Sequence, residues 1–210
     1  FKNLFKEQQF TGCMIKTIIF DLGNVIVKVD KTRQMESFSE DCGKSVSYLN
    51  KYFKKQPLEK KFERGSITTE NFYERCKKDL NLKMDFEKFR KVWCDIFELD
   101  KDVEALIMHL KEKFRLVLLS NTDEMHFEYI RNNYPIINVF DEHVLSYKEG
   151  CRKPNPLIFI KMRPLFKKPY IFWLIAIFII YILINILLSG FYNTIPLILK
   201  YAATVNWFKL

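Results

Sequence analysis

Two short apolar runs, Lys16–Phe20 (KTIIF) and Arg115–Leu119 (RLVLL), each stop abruptly on a polar residue, Asp21 and Ser120. Neither alternates polar with apolar positions, so neither suits a sheet with one wet face. Unbroken apolar strands of this kind are buried on both faces, as in parallel sheets covered by helices. The intervening sequence agrees. Leu22–Asp30 reads as an irregular connection holding Gly23 and Asn24, and from Lys31 to Ile96 the period is helical. Ile67, Phe72, Tyr73 and Cys76 mark one helix face after a Thr68 N-cap, and Phe86, Phe89, Val92, Trp93 and Phe97 mark another. These aromatic stripes are read as core packing, not as a ligand box. A helix from Asp102 to Lys113 feeds the second strand, and a helix from Glu124 to Asn132 and a short strand near Val144 and Leu145 follow. Helix before strand gives the class: α/β, a Rossmann-like parallel sheet with a helical insertion after the first strand.

Charge narrows the function classes. The formal net charge is +9, yet residues 1–149 carry 26 Lys and Arg against 25 acids, while residues 150–210 carry 8 against none. A nucleic-acid binder needs its basic face on the folded part, so nucleic acid is excluded as a partner. Hydrophobic residues at 49% and aromatics at 16% exclude intrinsic disorder. The five cysteines are odd in number and form no C-x-x-C, which reads as reduced thiols in the cytoplasm. Cys151, beside Arg152 and Lys153, is read as an incidental loop cysteine and not as an activated thiol.

The C-terminal part has another character. No charge occurs from Pro169 to Leu199, and Tyr170–Leu188 is a 19-residue apolar run broken only by Asn185. Such a length spans a bilayer core. Fourteen of its residues are Ile, Leu or Phe, which favours insertion by roughly 4–8 kcal/mol, more than one Asn cancels. Lys161, Arg163, Lys167 and Lys168 precede the run, so a transmembrane helix there leaves the α/β part in the cytoplasm. Part of the run, Tyr170–Phe178, also suits a strand.

The residues IIFDLGNVIVKVD at the first strand, LLSNT ending at Thr122 and CRKPNP at Cys151–Pro156 together resemble the haloacid dehalogenase (HAD) superfamily, in the branch with DLGNV that includes glucose-1-phosphate phosphatases. The resemblance covers about residues 14–162. It implies a Mg2+-dependent phosphomonoester hydrolase acting on a small phosphorylated metabolite, a sugar phosphate, through an aspartyl-phosphate. By resemblance Asp21 is the nucleophile and a metal ligand, the Gly23 carbonyl is a second ligand, Ser120 and Asn121 bind the phosphate, and Lys153 neutralises the transferring group. His126 is read as a satisfied or exposed histidine, and Asn24 as a loop-shaping residue.

Two departures qualify the resemblance. Gly23 stands where most superfamily phosphatases carry a second Asp as general acid and base, a feature the DLGNV branch shares. The acidic pair of the family's fourth motif is missing, since no Asp or Glu follows Glu149. With that segment goes the strand that normally flanks the first, which would leave an apolar sheet edge. The expected organisation is an upstream extension over 1–13 before a natural start at Met14, core over 14–30, helical cap over 31–98, core again over 99–162, and a hydrophobic tail over 163–210 with its span at 170–188. The rival reading is a membrane-tethered phosphate-binding pseudoenzyme. The Ile-, Phe-, Leu-, Tyr-, Asn- and Lys-rich tail has the composition of A- and T-rich DNA translated in a wrong frame. Resequencing the gene is therefore expected to reveal a one-base correction near codons 160–170 that restores an acidic strand-end pair; an in-frame tail confirmed at the DNA level would remove that account.

Overall fold

The computed structural model describes residues 16–55 and 57–162. In chain order they form β1 (Thr17–Phe20), β2 (Val27–Val29), α1 (Thr32–Cys42), α2 (Val46–Lys55), α3 (Leu58–Phe62), α4 (Thr69–Leu80) and α5 (Phe86–Cys94). There follow β3 (Phe97–Leu99), α6 (Lys101–Lys111), β4 (Arg115–Ser120), α7 (Glu124–Asn133), a 3-10 turn (Pro135–Val139), β5 (Glu142–Leu145), α8 (Ser146–Glu149) and α9 (Pro156–Lys161). The described residues from Ile18 onward make one compact unit. The anticipated extension over 1–13 and the tail over 163–210, with its span at 170–188, lie outside the described residues. Among the described residues no helix is long and apolar enough to cross a membrane.

The main sheet has the order β1-β4-β5, and β4 runs parallel to β5 with Val117 opposite Glu142 and Ser120 opposite Leu145. The most apolar strand takes the middle. Leu116 to Ser120 of β4 are all buried, whereas every residue of β1 is only half-buried. Among the described residues β1 has one sheet neighbour, β4, so its other side is an edge. The helices start where short polar side chains cap them: Thr68 accepts from the Asn71 amide, Asp85 from Lys88, Asp100 from Asp102 and Val103, and Asp123 from His126.

Two apolar clusters result. The helices between β2 and β3 pack around Phe38, Phe72, Phe89 and Trp93, with Phe62 stacked on Phe72 at 4.3 Å. The second cluster joins Ile107, Leu116, Leu118 and Phe127 around the main sheet. The aromatic stripes are thus core.

One element differs from the sequence expectation. Leu22–Asp30 is not wholly irregular, and Phe97 is not on a helix face. Val27, Lys28 and Val29 pair antiparallel with Leu99, Glu98 and Phe97, and the ladder extends through Asp30 N–H to Ile96 O and Asp100 N–H to Ile26 O. A three-residue strand carries too little alternation to show in sequence; its partner, some seventy residues on, makes it a strand.

Asp141 ties the sheet at its amino end. Its carboxylate pairs with Lys111 at 2.7 Å and accepts from the Leu116 amide at 2.7 Å, while its own N–H donates to Leu116 O. The Lys111 hydrogen bond, with help from the Leu116 amide, holds its carboxyl below the usual value. A carboxyl lowered by folding adds stability that is complete above its unfolded value, about 4, and is lost as pH falls through the folded one. Asp141→Asn is therefore expected to lower the melting temperature at pH 7 and to flatten its decline below about pH 4; thermal melts between pH 3 and 7 measure both.

Candidate active site

The segment after β1 is wound tightly by its own backbone. Leu22 O accepts from Val25, Ile26 and Val27, and the Asn24 amide donates to Val27 O at 2.7 Å. Asn24 sits at φ 56, a left-handed conformation that Asn tolerates, and its Oδ1 accepts from the Val29 amide at 3.2 Å. Asn24 therefore shapes the loop, as its type suggested. The winding keeps Asp21 and Gly23 at the end of β1 while the chain turns back into β2.

The Asp21 carboxylate is held at both oxygens. Oδ1 accepts from the Leu22 amide at 2.8 Å, and Oδ2 lies 2.7 Å from Lys153 Nζ. The ammonium also donates to Leu119 O at 3.0 Å. Lys153 reaches this place because its backbone is clamped by Asn121: the Lys153 amide donates to Asn121 Oδ1 at 2.7 Å, and Asn121 Nδ2 donates to Lys153 O at 3.0 Å. Residues over 130 positions apart in sequence thus meet at the ends of β1 and β4, where ligands bind in open α/β sheets. Ser120 stands between Leu119 and Asn121, both in contact with Lys153, and is 2% exposed. The pair itself is open, with Lys153 22% and Asp21 41% exposed, so its value lies in placement more than in stability.

Of the five residues singled out in sequence, the structure joins Asp21, Lys153 and Asn121 by direct contact and sets Gly23 and Ser120 beside them in the chain. The finding for Asn121 was not expected: both polar atoms of its side chain serve the Lys153 backbone. Asp21 and the Gly23 carbonyl are hard oxygen donors of the kind Mg2+ takes, and Mg2+ commonly binds through one or two carboxylates plus phosphate oxygens while keeping several waters. Among the described residues no cluster of three His, Cys, Asp or Glu stands ready for a metal. The two donors fit Mg2+ whose shell is otherwise phosphate and water.

Sequence reading missed the layer behind these residues. Asp123, 1% exposed, caps α7 through Oδ1 and with Oδ2 meets His126 Nδ1 at 2.7 Å and Trp93 Nε1 at 3.3 Å. His126 Nε2 lies 2.9 Å from Trp93 O, and its ring stacks on the Trp93 indole at 5.1 Å. His126 is thus a satisfied histidine. The network ties α5 of the insert to the turn that follows Asn121. Its only sequence signal was an Asp at the N-cap position with a His three residues on.

No family model matches the chain. It is 27% identical over 154 residues to a D-ribitol-5-phosphate phosphatase of Bacteroides thetaiotaomicron, covering 70% of this chain and 74% of that protein. A HAD-family enzyme of the same organism, solved as a magnesium complex, superposes with a TM-score of 0.63 at 25% identity, over 70% of this chain and 76% of that one. Its complex with magnesium and inorganic phosphate gives 0.62, also at 25% identity, over 71% and 77%. The chain has the fold of the haloacid dehalogenase hydrolases. A predicted HAD-like hydrolase of Porphyromonas gingivalis shares the fold, with a TM-score of 0.62 at 22% identity over 71% of this chain and 75% of that one. The HAD fold implied by the three motifs therefore stands.

Asp123→Ala is expected to cost about 3 kcal/mol, since it removes an N-cap and leaves buried donors on Trp93 and His126 without an acceptor. Urea unfolding followed by Trp fluorescence measures it, and a loss below about 1 kcal/mol would mean that the network is incidental.

Proposed function

We propose that this chain is a phosphomonoester hydrolase that uses Asp21 as its nucleophile and acts on a small phosphorylated polyol or sugar. The observation that carries the reading is the 2.7 Å contact of Lys153 Nζ with Asp21 Oδ2, made while Asn121 holds the Lys153 backbone. An anionic nucleophile attacking an anionic phosphoryl group needs a cation fixed where charge is transferred. Lys153 is fixed in that position by bonds to Leu119 O and Asn121. The substrate class is suggested by the D-ribitol-5-phosphate phosphatase among the relatives.

In the first step an Asp21 oxygen bonds to phosphorus as the ester P–O bond breaks, and the departing alkoxide takes up a proton. Because the residue two positions after Asp21 is Gly23, that proton comes from water and not from a neighbouring carboxyl. In the second step water adds to phosphorus, the Asp21–phosphorus bond breaks, and inorganic phosphate leaves with the carboxylate restored. Ser120 and Asn121 occupy the phosphate side of the site at the end of β4, and Asn121 also sets the position of Lys153. Mg2+, bound by the Asp21 carboxylate and the Gly23 carbonyl, would supply further neutralisation of phosphoryl charge. The helical insert, residues 31–98, is assigned as the cap that selects the leaving group.

A second reading, a phosphate-binding protein without turnover, is favoured by one observation: no acidic residue follows Glu149, and no three-carboxylate cluster exists among the described residues. A single set of assays separates the two. With p-nitrophenyl phosphate and Mg2+, Asp21→Asn is expected to abolish hydrolysis and Lys153→Ala to slow it on the order of 100-fold. Full turnover by Asp21→Asn would end the nucleophile assignment. Phosphate binding that depends on Lys153, without turnover by the unaltered chain, would select the second reading.

A further inference from the structure

The helical insert reaches the phosphate side of the site through the loop Glu63–Gly65, just after α3. Three contacts hold it there. The fully buried Ser146 hydroxyl lies 2.6 Å from Glu63 O, to which it donates, and accepts from the Thr122 amide at 3.0 Å. Gly65, at φ +63, approaches Tyr147 so closely that a Cβ there would lie 2.2 Å from the Tyr147 carbonyl oxygen. The Glu63 carboxylate lies 2.5 Å from Arg152 Nε, and neither side chain is more than 26% exposed. Thr122 follows Asn121 directly, and Arg152 precedes Lys153 directly. The loop therefore grips at once the two segments whose Asn121–Lys153 hydrogen bonds place the ammonium on Asp21.

The chemistry of Glu63 is informative. Burial pushes its carboxyl up from the ordinary value, and Glu59 and Asp123 add to the rise; Arg152 and Lys31 oppose it. A carboxylate set in such surroundings keeps its charge by virtue of its partner, and removing one member strands the other. The geometry points to Glu63 and Arg152 as positioning residues: with the Ser146 hydroxyl they clasp the helical insert to the loops bearing Asn121 and Lys153 and so set the reach of Lys153 to Asp21. The consequence for Lys153 rests on the phosphate-site reading above, whereas the clasp itself does not.

The test uses the full chain and sulfate, a tetrahedral dianion, as probe. Glu63→Gln removes a negative charge near the anion site, so an effect of charge alone would tighten sulfate binding. Loss of positioning instead weakens it, by about three- to tenfold, and Glu63→Asp, which restores the carboxylate, recovers part of the loss. A second readout needs no ligand. Hydrogen exchange at the Thr122 and Lys153 amides is expected to accelerate about three- to tenfold in Glu63→Gln, while the Phe127 and Ile130 amides of α7 exchange as in the unaltered chain. Gly65→Ala, which expels the loop sterically, should reproduce both effects. Tighter sulfate binding, or unchanged exchange at Thr122 and Lys153, overturns the clasp. Accelerated exchange together with sulfate binding that is absent, or indifferent to Lys153→Ala, supports the clasp and removes the phosphate-site reading instead.

Discussion

The reciprocal hydrogen bonds between the Asn121 side chain and the Lys153 backbone carry the site. Lys153 lies on a loop between two short helices, α8 and α9, where a long flexible side chain would otherwise sample many rotamers at substantial entropic cost. An amide that both donates to and accepts from the backbone of one residue fixes that residue in position and orientation. The ammonium then has a short path to Leu119 O and Asp21. Asn121 is itself fixed because it continues β4, the buried centre of the sheet, so rigidity in the core is transmitted to a charge at the rim.

Around this point the helical insert serves as more than a neighbour. It has its own aromatic core, leaves and re-enters through the β2–β3 ladder, and touches the segments bearing Asn121 and Lys153 at Asp123 and at Ser146 with Arg152. Asp123 lies two residues from Asn121 and Arg152 one from Lys153, while Ser146 reaches the same place by accepting from the Thr122 amide. Insert and sheet are thereby coupled through polar groups that must be satisfied when buried, a more directional link than apolar packing.

Among the described residues no three His, Cys, Asp or Glu cluster at the candidate site. Gly23 stands two residues after Asp21, and no acid follows Glu149 in the sequence. On the reading proposed above, Ser120, Asn121 and Lys153 form the half that receives and neutralises phosphate, with Lys153 Nζ 2.7 Å from Asp21. The half-buried β1 belongs to the same picture, since among the described residues it is flanked by β4 alone.

The sequence by itself determined those features that depend on neighbours along the chain. The apolar runs ending at Asp21 and Ser120, the Thr68 cap, the α4 and α5 faces and the three motifs are all readable because burial and capping impose short periods and fixed offsets. Tertiary structure decided what depends on groups far apart in the chain. Phe97 became a strand residue because Val29 pairs with it, Asn121 gave its side chain to Lys153, and Asp123 and His126 closed a network on Trp93. Ser146, 83 residues from Glu63, left no mark in the local pattern at all. A hydrogen bond across such a separation forms only after the sheet and the insert have packed and brought its two ends together, so no window of sequence contains it.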